Sequence, residues 1–312
     1  MGHGNYSSEA HDALLRSRAS VPAEALFRQR QCHPLMNPKG VKLRESRDSA
    51  NHPASLGIVF ALDVTGSMGT IPQILATSHL PKFMTVLTHC KVADPQLLFM
   101  AVGDATCDIA PLQVGQFEST AELMDQWLTW SFLEGHGGGN KHESYELALY
   151  FLAEHTEMDC WVKRKKKGYL FMTGDELPYP TLSRHVVEAI VGDRLDEDLT
   201  LGEVVAELQK AFVPFFLIPD PKRRESCERT WRDVFGDHVL CMEGPEDTCF
   251  VAAGALLLEE GLVANLDDAG KVLEGAGLEA ARKNTVLRAL SPLAEHYGRG
   301  GSLAGRVKRM FT

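Results

Sequence analysis

The stretch 56-LGIVFALDVTGSM-68 decides the fold of this chain. Its first part, Leu56–Val64, is a continuous apolar run, which is typical of a strand buried on both faces of a parallel sheet. Oxygen-bearing side chains follow at its end, from Asp63, Thr65 and Ser67. Ligands of open α/β sheets bind beyond the carboxyl ends of the strands, so we expect these three side chains at a binding edge.

Further apolar runs alternate with helical patterns along the rest of the chain. Strands are predicted at Leu97–Val102, Gly168–Thr173, Val213–Pro219 and His238–Met242, with a short edge strand at Gln113–Phe117. Helices are predicted at Ile71–Cys90 (divided or kinked at Pro81), Thr120–Leu133, Glu143–His155, Leu182–Ile190, Leu201–Phe212, Lys222–Phe235 and Glu246–Glu259. Such alternation predicts right-handed βαβ units. We therefore predict an α/β fold with a doubly wound, mostly parallel central sheet flanked by helices, similar to a Rossmann fold.

Three parts of the chain differ in pattern. Residues 1–55 are polar and proline-broken, with one predicted helix at Ser8–Arg18, and are interpreted as an N-terminal extension. Residues 56–260 carry the alternating pattern and form the predicted domain. Residues 261–312 are interpreted as a C-terminal tail of two or three short helices with glycine breaks.

Composition limits the classes of function. The net charge of −10 argues against general nucleic-acid binding, which needs a basic surface. The basic run Lys163–Lys167 precedes a strand, at the edge opposite the oxygen-bearing loops, and is interpreted as a solvated loop. The seven cysteines include no C-x-x-C pair and suggest a reducing compartment. With no apolar segment of signal-peptide or membrane-spanning type, we expect a cytoplasmic protein that binds neither nucleic acid nor membrane.

Three loops bring oxygen atoms to one edge of the predicted sheet. The first carries Asp63, Thr65 and Ser67, the second carries Asn140 after a glycine-rich stretch, and the third carries Asp175. Hydroxyl, carboxylate and amide oxygens are hard donors, which suit Mg²⁺ or Mn²⁺ with waters completing the shell. The pattern therefore predicts a divalent cation site.

Four other residues near this edge allow two interpretations each. Asp104 and Asp108 follow the second strand and are interpreted mainly as turn formers, with a possible contribution to the field at the edge. Glu143 and Ser144 open a predicted helix, where they fit helix capping as well as support of the cation site.

The ligand loops resemble those of the von Willebrand factor A family and its metal-ion-dependent adhesion site. The family pattern on the first loop is D-x-S-x-S, and this chain has D-x-T-x-S, in which Thr65 keeps the hydroxyl. The second loop, GGGNKHESYELAL from Gly137, is similar to the GGGDxPESxxxAL of the intracellular, bacterial-type branch. Asn140 replaces the acid there, and His142 replaces the proline. The resemblance covers about Leu56 to Leu258.

The resemblance implies a role for each loop residue. Thr65 and Ser67 would bind the cation through their hydroxyls, while Asp63 and Asp175 would hold metal-bound waters. Asn140 would bind directly or through water. One position would stay open for a Glu or Asp of a protein partner. Domains of this branch resemble adaptors of AAA+ ATPases of the MoxR kind, so such an ATPase is one expected partner.

The sequence favours a binding module over an enzyme. It contains neither a phosphate-binding P-loop nor a G-x-S-x-G nucleophile elbow. One alternative is a Mg²⁺-dependent phosphatase of the haloacid-dehalogenase type, because Asp63 and Asp175 mimic its arrangement. Thr65 and Tyr179 stand where that class has acids. The other alternative is a structural A-type domain whose cation site is degenerate, as Asn140 allows.

Overall fold

A computed structural model describes residues 4–18, 21–66, 68, 70–135 and 140–299. Its main sheet has six strands: β1 (Leu56–Asp63), β2 (Pro95–Val102), β3 (Leu112–Val114), β4 (Gly168–Thr173), β5 (Phe212–Ile218) and β6 (Val239–Cys241). Three further pairs of short strands lie outside this sheet. They are Arg44–Ser46 with Thr156–Met158, His142–Glu143 with Leu177–Pro178, and Thr181–Leu182 with Leu199–Thr200.

The strand order is β6-β5-β4-β1-β2-β3, and only β3 within it runs antiparallel to its neighbour. This is the doubly wound order, whose connections reverse direction between β1 and β4. Asp63 pairs with Val102 and Leu62 pairs with Thr173, so β1, β2 and β4 end at nearly the same level. The predicted α/β fold class is confirmed, and the loops after these three strands meet at the point where ligands of such sheets bind.

Helices flank the sheet. They are α1 (Ser8–Arg18), α2 (Ala23–Leu26), α3 (Thr70–Ile74), α4 (Leu80–His89), α5 (Ala121–Thr129), α6 (Tyr145–Glu154), α7 (Asp159–Arg164), α8 (Arg184–Ile190), α9 (Leu201–Ala211), α10 (Pro221–Phe235), α11 (Thr248–Glu259), α12 (Leu266–Gly275) and α13 (Ala280–Arg299). Short 3-10 turns occur at Pro34–Met36, Gly236–His238 and Pro245–Asp247. Among the residues that the structure describes, no helix has the length and apolar character needed to cross a membrane.

The predicted helix Ile71–Cys90 is divided, as expected, just before Pro81. A π-helical turn, Leu75–His79, separates α3 from α4, and the Leu80 N–H donates to the Leu75 carbonyl five residues back. Proline has no N–H to donate to the carbonyl four residues earlier, so the turn before it can widen. The division leaves α3 as a short helix directly after the first loop of the predicted site.

The core is centred on β1, which is buried along its whole length. The Phe60 ring lies 5.1 Å from that of Phe83, 5.5 Å from that of Phe171 and 5.9 Å from that of Phe99, centroid to centroid. Each buried side chain of this size stabilises the fold by roughly 1.5–3 kcal/mol. The core therefore holds β1 and its neighbours β2 and β4 rigidly beneath the loops that follow them.

The two segments interpreted as extensions both pack against the domain. Phe27 joins the main core, and Arg44–Ser46 forms a parallel pair with Thr156–Met158. In the tail, Leu273 and Leu290 are buried in the same core. The described residues before residue 56 and residues 261–299 thus pack on the domain.

The basic run Lys163–Lys167 is exposed, as the sequence predicts, and its last three residues lie outside helices and strands. Its first two residues belong to α7, which ends where Lys165 takes a left-handed conformation with φ 55°. Lys163 forms an ion pair with Asp159 at 2.6 Å, and Lys166 pairs with Glu260 at 2.7 Å. These ion pairs tie part of the run to the fold.

Candidate functional site

Asp63 ends β1 and is fully buried. Its Oδ1 accepts hydrogen bonds from the Thr65 backbone N–H at 2.9 Å and from Thr65 Oγ1 at 2.5 Å. Its Oδ2 accepts a hydrogen bond from the Tyr145 hydroxyl at 2.7 Å. Two of the predicted ligands, Asp63 and Thr65, are thus in direct contact, and a tyrosine from the first turn of α6 fixes the carboxylate.

Burial dominates the electrostatics of Asp63. It raises the pKa of this carboxyl to about 7, because the charged form loses its hydration. The hydrogen bonds from Thr65 and Tyr145 oppose the rise in pKa, and the nearby Asp175 carboxylate adds to it. Asp63 is therefore a carboxylate that a positive charge would stabilise.

Asp175 follows β4 and has 1% of its surface exposed. The Arg223 guanidinium, from the start of α10, donates from Nε to Asp175 Oδ2 at 3.1 Å and also bonds to Glu176. Asp175 and Asp63 are thus close enough to interact electrostatically, as predicted for two loops meeting at the switch point. Arg223 supplies one positive charge at the outer side of this pair.

Glu143 is the most perturbed acid at this edge. Its side chain is buried, and its Oε2 accepts no hydrogen bond from any residue that the structure describes. Burial, with the charges of Asp63, Asp108 and Asp104, raises the pKa of Glu143 to about 10. A buried carboxyl oxygen without a donor, surrounded by other acids, fits a position beside a divalent cation.

Asn140 faces Asp104. Its amide nitrogen donates to Asp104 Oδ2 at 2.7 Å and to the Tyr179 hydroxyl oxygen at 3.1 Å. Its amide oxygen accepts the His142 backbone N–H at 2.9 Å. The side chain thus closes its own loop and ties that loop to the end of β2.

Asp104 is buried like Asp63, and hydrogen bonds surround it. The Thr106 N–H and hydroxyl donate to it at 2.9 and 2.7 Å, and the Tyr179 hydroxyl donates at 3.1 Å. Burial alone would raise the pKa of Asp104, but these donors and the Asn140 amide lower it below its usual value. Asp108 Oδ2 in turn accepts the Asp104 N–H at 2.7 Å, so both acids form the turn that the sequence predicts.

The structure therefore brings some predicted ligands together and places one elsewhere. Asp63, Thr65 and Asp175 share the switch point between β1 and β4. Asn140 is hydrogen-bonded to the neighbouring Asp104 instead. Ser67 lies outside the described residues, as does the glycine-rich stretch 136–139. In the described part of the chain, no group of three or more His, Cys, Asp or Glu side chains has a metal-binding arrangement. The donor set at the switch point combines carboxylates with a hydroxyl.

Three contributors to this edge, Tyr145, Tyr179 and Arg223, were not identified from the sequence in these roles, whereas Glu143 was considered for support of the cation site. Tyr145, Tyr179 and Arg223 hold the acids, and Glu143 carries the unsatisfied oxygen. The sequence signal for Tyr145 was weak because an aromatic residue in an apolar helical pattern indicates core packing. One clue was Gly174: a Cβ there would collide with the Tyr145 hydroxyl, so the glycine permits that ring to reach Asp63.

Comparison with known proteins gave structural similarity only. No protein-family model matches the sequence, and the search of curated proteins found no match. Among solved structures, the chain is similar to a von Willebrand factor type A protein from Catenulispora acidiphila, with 12% identity and a TM-score of 0.37 over 72% of this chain and 44% of that one.

Two other solved structures show comparable similarity. One is the pilus adhesin SpaC from Lactobacillus rhamnosus GG, with 11% identity and a TM-score of 0.42 over 76% of this chain and 31% of the adhesin. The other is proximal thread matrix protein 1 from the mussel byssus, with 10% identity and a TM-score of 0.40 over 72% of this chain and 51% of that one. The chain spans about half or less of the length of each. The fold class itself rests on the strand order and register described above.

Proposed function

We propose that this chain is a protein-interaction module of the von Willebrand factor A type, which binds a divalent cation at the edge between β1 and β4. The cation is Mg²⁺ or Mn²⁺, and it binds an acidic side chain of a protein partner. The supporting observation is the group of buried acids at this edge: Asp63 interacts electrostatically with both Asp175 and Glu143, and none of the described residues donates a hydrogen bond to one oxygen of Glu143.

The donor chemistry of this edge suits a hard cation. Carboxylate and hydroxyl oxygens from Asp63, Thr65 and Asp175 match the ligands that Mg²⁺ prefers. In this proposal Thr65 and Ser67 bind the cation through their hydroxyls, and the carboxylates of Asp63 and Asp175 orient waters and hydroxyls around it. Asn140 bonds to Asp104 in the structure, so in this proposal its loop contributes to the cation through water. Tyr145 keeps Asp63 in place.

The partner in this proposal presents a Glu or Asp. A cation held largely through hydroxyls and waters keeps uncompensated positive charge, and a carboxylate from another protein can neutralise it. We propose that the domain acts as such an adaptor and not as an enzyme. An AAA+ ATPase of the MoxR kind is one candidate partner, a suggestion that rests on the family resemblance of the loops.

Thermal unfolding in Mg²⁺ or Mn²⁺ tests the cation site. A ligand at about 100 times its Kd should stabilise the wild-type protein by about 2.7 kcal/mol. The double variant Asp63→Ala/Ser67→Ala should lose this response, whereas Asp233→Ala, at an exposed acid of α10, should keep it. An equal metal response in the double variant and the wild type would show that the cation does not bind here.

Partner capture tests the interaction itself. Proteins retained by the wild type should be lost with EDTA and also with Thr65→Ala, because both remove the same interaction. The two effects should not add. Thr65→Ser, which keeps the hydroxyl, is the matched control and should retain the partner. Capture that survives both EDTA and Thr65→Ala would mean that the domain binds through another surface.

A further inference from the structure

A positively charged cavity lies beside the candidate cation site. It has a volume of about 150 Å³. We call it the basic cavity, and its lining residues are Lys141, Glu176, Leu177, Lys222, Arg223 and Ser226. Three of these six carry a positive charge and one carries a negative charge. Arg223 connects the two places, because it lines the basic cavity and also bonds to Asp175.

The backbone positions of the two lysines are fixed by secondary structure. The Lys141 carbonyl accepts the Leu177 N–H at 3.0 Å, directly beside the short parallel pair formed by His142–Glu143. The Lys222 N–H donates at 2.8 Å to Asp220 Oδ1, which caps the start of α10. The cavity is thus built from two separate elements of the fold.

The two lysines differ from Arg223 in their present contacts. Arg223 is engaged with Asp175 and Glu176. Lys141 and Lys222 are exposed, and neither forms an ion pair with another described residue. By contrast, other described lysines, such as Lys163 and Lys166, form ion pairs with acids of the same chain. Two lysines that line one cavity are therefore without an ion pair among the described residues.

Size and charge indicate what the cavity can hold. Pockets for small molecules are usually about 300–1,000 Å³, whereas 150 Å³ corresponds to about five water molecules. The basic cavity is therefore suited to the end of a single side chain. The lining carries more positive than negative charge and therefore suits an anion, and the acidic partner of the proposed function makes a carboxylate the expected one.

We propose that the basic cavity binds a second acidic side chain of the protein partner, next to the one that binds the cation. The inference rests on the proposed function for the identity of the partner, since it places both carboxylates on one acidic segment. The binding of a carboxylate by Lys141 and Lys222 does not itself require the cation. The partner would thus be recognised by a pair of acidic residues.

Fluorescence anisotropy with a labelled tetraglutamate peptide tests this proposal. Titrations in EDTA at fixed ionic strength report on the basic cavity without a cation, and tetraglutamine is the control peptide. The variant Lys141→Glu/Lys222→Glu should bind tetraglutamate at least about tenfold more weakly, because each lost charge-assisted contact accounts for a factor of about ten or more. The milder Lys141→Gln/Lys222→Gln serves if the first variant melts early. Lys42→Glu/Lys91→Glu changes the charge equally at two exposed lysines outside the cavity and should bind like the wild type.

The outcomes distinguish a failure of the basic-cavity proposal from a failure of the cation-site proposal. Equal affinity in the wild type and in both cavity variants would overturn the basic cavity as a carboxylate site, as would no binding by the wild type. Displacement of the peptide by inorganic phosphate at lower concentrations than by acetate would also overturn it. The Mg²⁺ response of the melting temperature is measured separately on the same proteins. If that response is absent while tetraglutamate binds through the lysines, the cation proposal fails and the basic cavity stands.

Discussion

Asp63 and Asp104 follow neighbouring strands, reach the same edge of the sheet and are both fully buried, yet their pKa values move in opposite directions. Burial raises the pKa of Asp63 to about 7, whereas the pKa of Asp104 is lowered despite its burial. Two differences contribute: Asp104 lies less deeply beneath the surface, so desolvation raises its pKa less, and it accepts more hydrogen bonds. Asp104 accepts hydrogen bonds from Thr106, Asn140 and Tyr179, whereas Asp63 accepts them only from Thr65 and Tyr145 among the bonds described and has Asp175 nearby.

This contrast shows two ways in which a protein can stabilise a buried carboxylate. Around Asp104, hydroxyl and amide donors stabilise the carboxylate, and Asn140 provides one that an aspartate there could not. Around Asp63, burial and the neighbouring acids Glu143 and Asp175 disfavour the ionised carboxylates, which a cation would stabilise. The cation is therefore expected on the Asp63 side of the edge, and the Asp104 side is expected to keep its structure without it.

The largest expected effect is on the pH dependence of stability. Asp63 keeps its proton to about pH 7 in the folded protein but loses it near pH 4 when unfolded. Between these values the folded state binds more protons, so this group makes the free energy of unfolding decrease as pH rises. Without metal, Asp63→Asn should be more stable than the wild type at pH 8, by up to about 4 kcal/mol, and similar to it near pH 4. Urea unfolding across this pH range measures the difference.

Two controls sharpen this prediction. Asp233→Asn removes an exposed acid of α10 and should leave the pH dependence unchanged. Saturating Mg²⁺ should reduce the advantage of Asp63→Asn at pH 8, because the cation stabilises only the wild-type carboxylate. If Asp63→Asn and the wild type respond identically to pH, Asp63 is not the desolvated acid described here.

The second comparison removes one tyrosine hydroxyl that donates a hydrogen bond to each acid. Tyr145→Phe deletes one of the few donors to Asp63, and a hydrogen bond to a charged group contributes about 1.5–3 kcal/mol. Tyr179→Phe deletes a more exposed donor to Asp104, whose other donors remain, and should cost no more than about 1 kcal/mol. Chemical unfolding at pH 8 measures both. A larger loss for Tyr179→Phe than for Tyr145→Phe would reverse the contrast between the two acids.

A smaller effect is expected at Asn140. Asn140→Asp would bring two carboxylates together where the amide now donates to Asp104 at 2.7 Å, and should lower stability without metal by about 1 kcal/mol. The same variant should show a larger Mg²⁺-induced rise in melting temperature than the wild type, since it creates a pair of acids next to the site. Asn140→Ala removes the donor and adds no charge, so its Mg²⁺-induced rise in melting temperature should be no larger than that of the wild type. An unchanged metal response in Asn140→Asp would mean that this loop does not face the cation.

The sequence predicted the fold well because the signals were strong and local. The run Leu56–Val64 could hardly form anything but a buried strand, and the loop positions follow from the order of strands along the chain. The strand pair Arg44–Ser46 with Thr156–Met158 was missed, because each partner is only three residues long and the pairing is distant in sequence. The helix α7 was missed because the basic residues at its end suggested a loop.

The candidate site could be predicted only in outline. Asp63, Thr65 and Asp175 were placed correctly at the ends of β1 and β4, because strand ends fix where a loop begins. The orientation of Asn140 toward Asp104 could not be predicted, because it depends on Tyr179 and Thr106, which come from other loops. The burial of Glu143 likewise depends on how several loops pack together, and no local pattern encodes it.

Calorimetric titration of Mg²⁺ into the wild-type protein at pH 7 tests the central claim most directly. Measurements in two buffers of different ionisation enthalpy give the number of protons released on binding. Because the pKa of Asp63 is raised to about 7 and that of Glu143 to about 10, a cation beside them should displace about one proton or more. Asp63→Asn should abolish the binding. Mg²⁺ binding without proton release, and equally tight in Asp63→Asn, would contradict a cation site at the edge between β1 and β4.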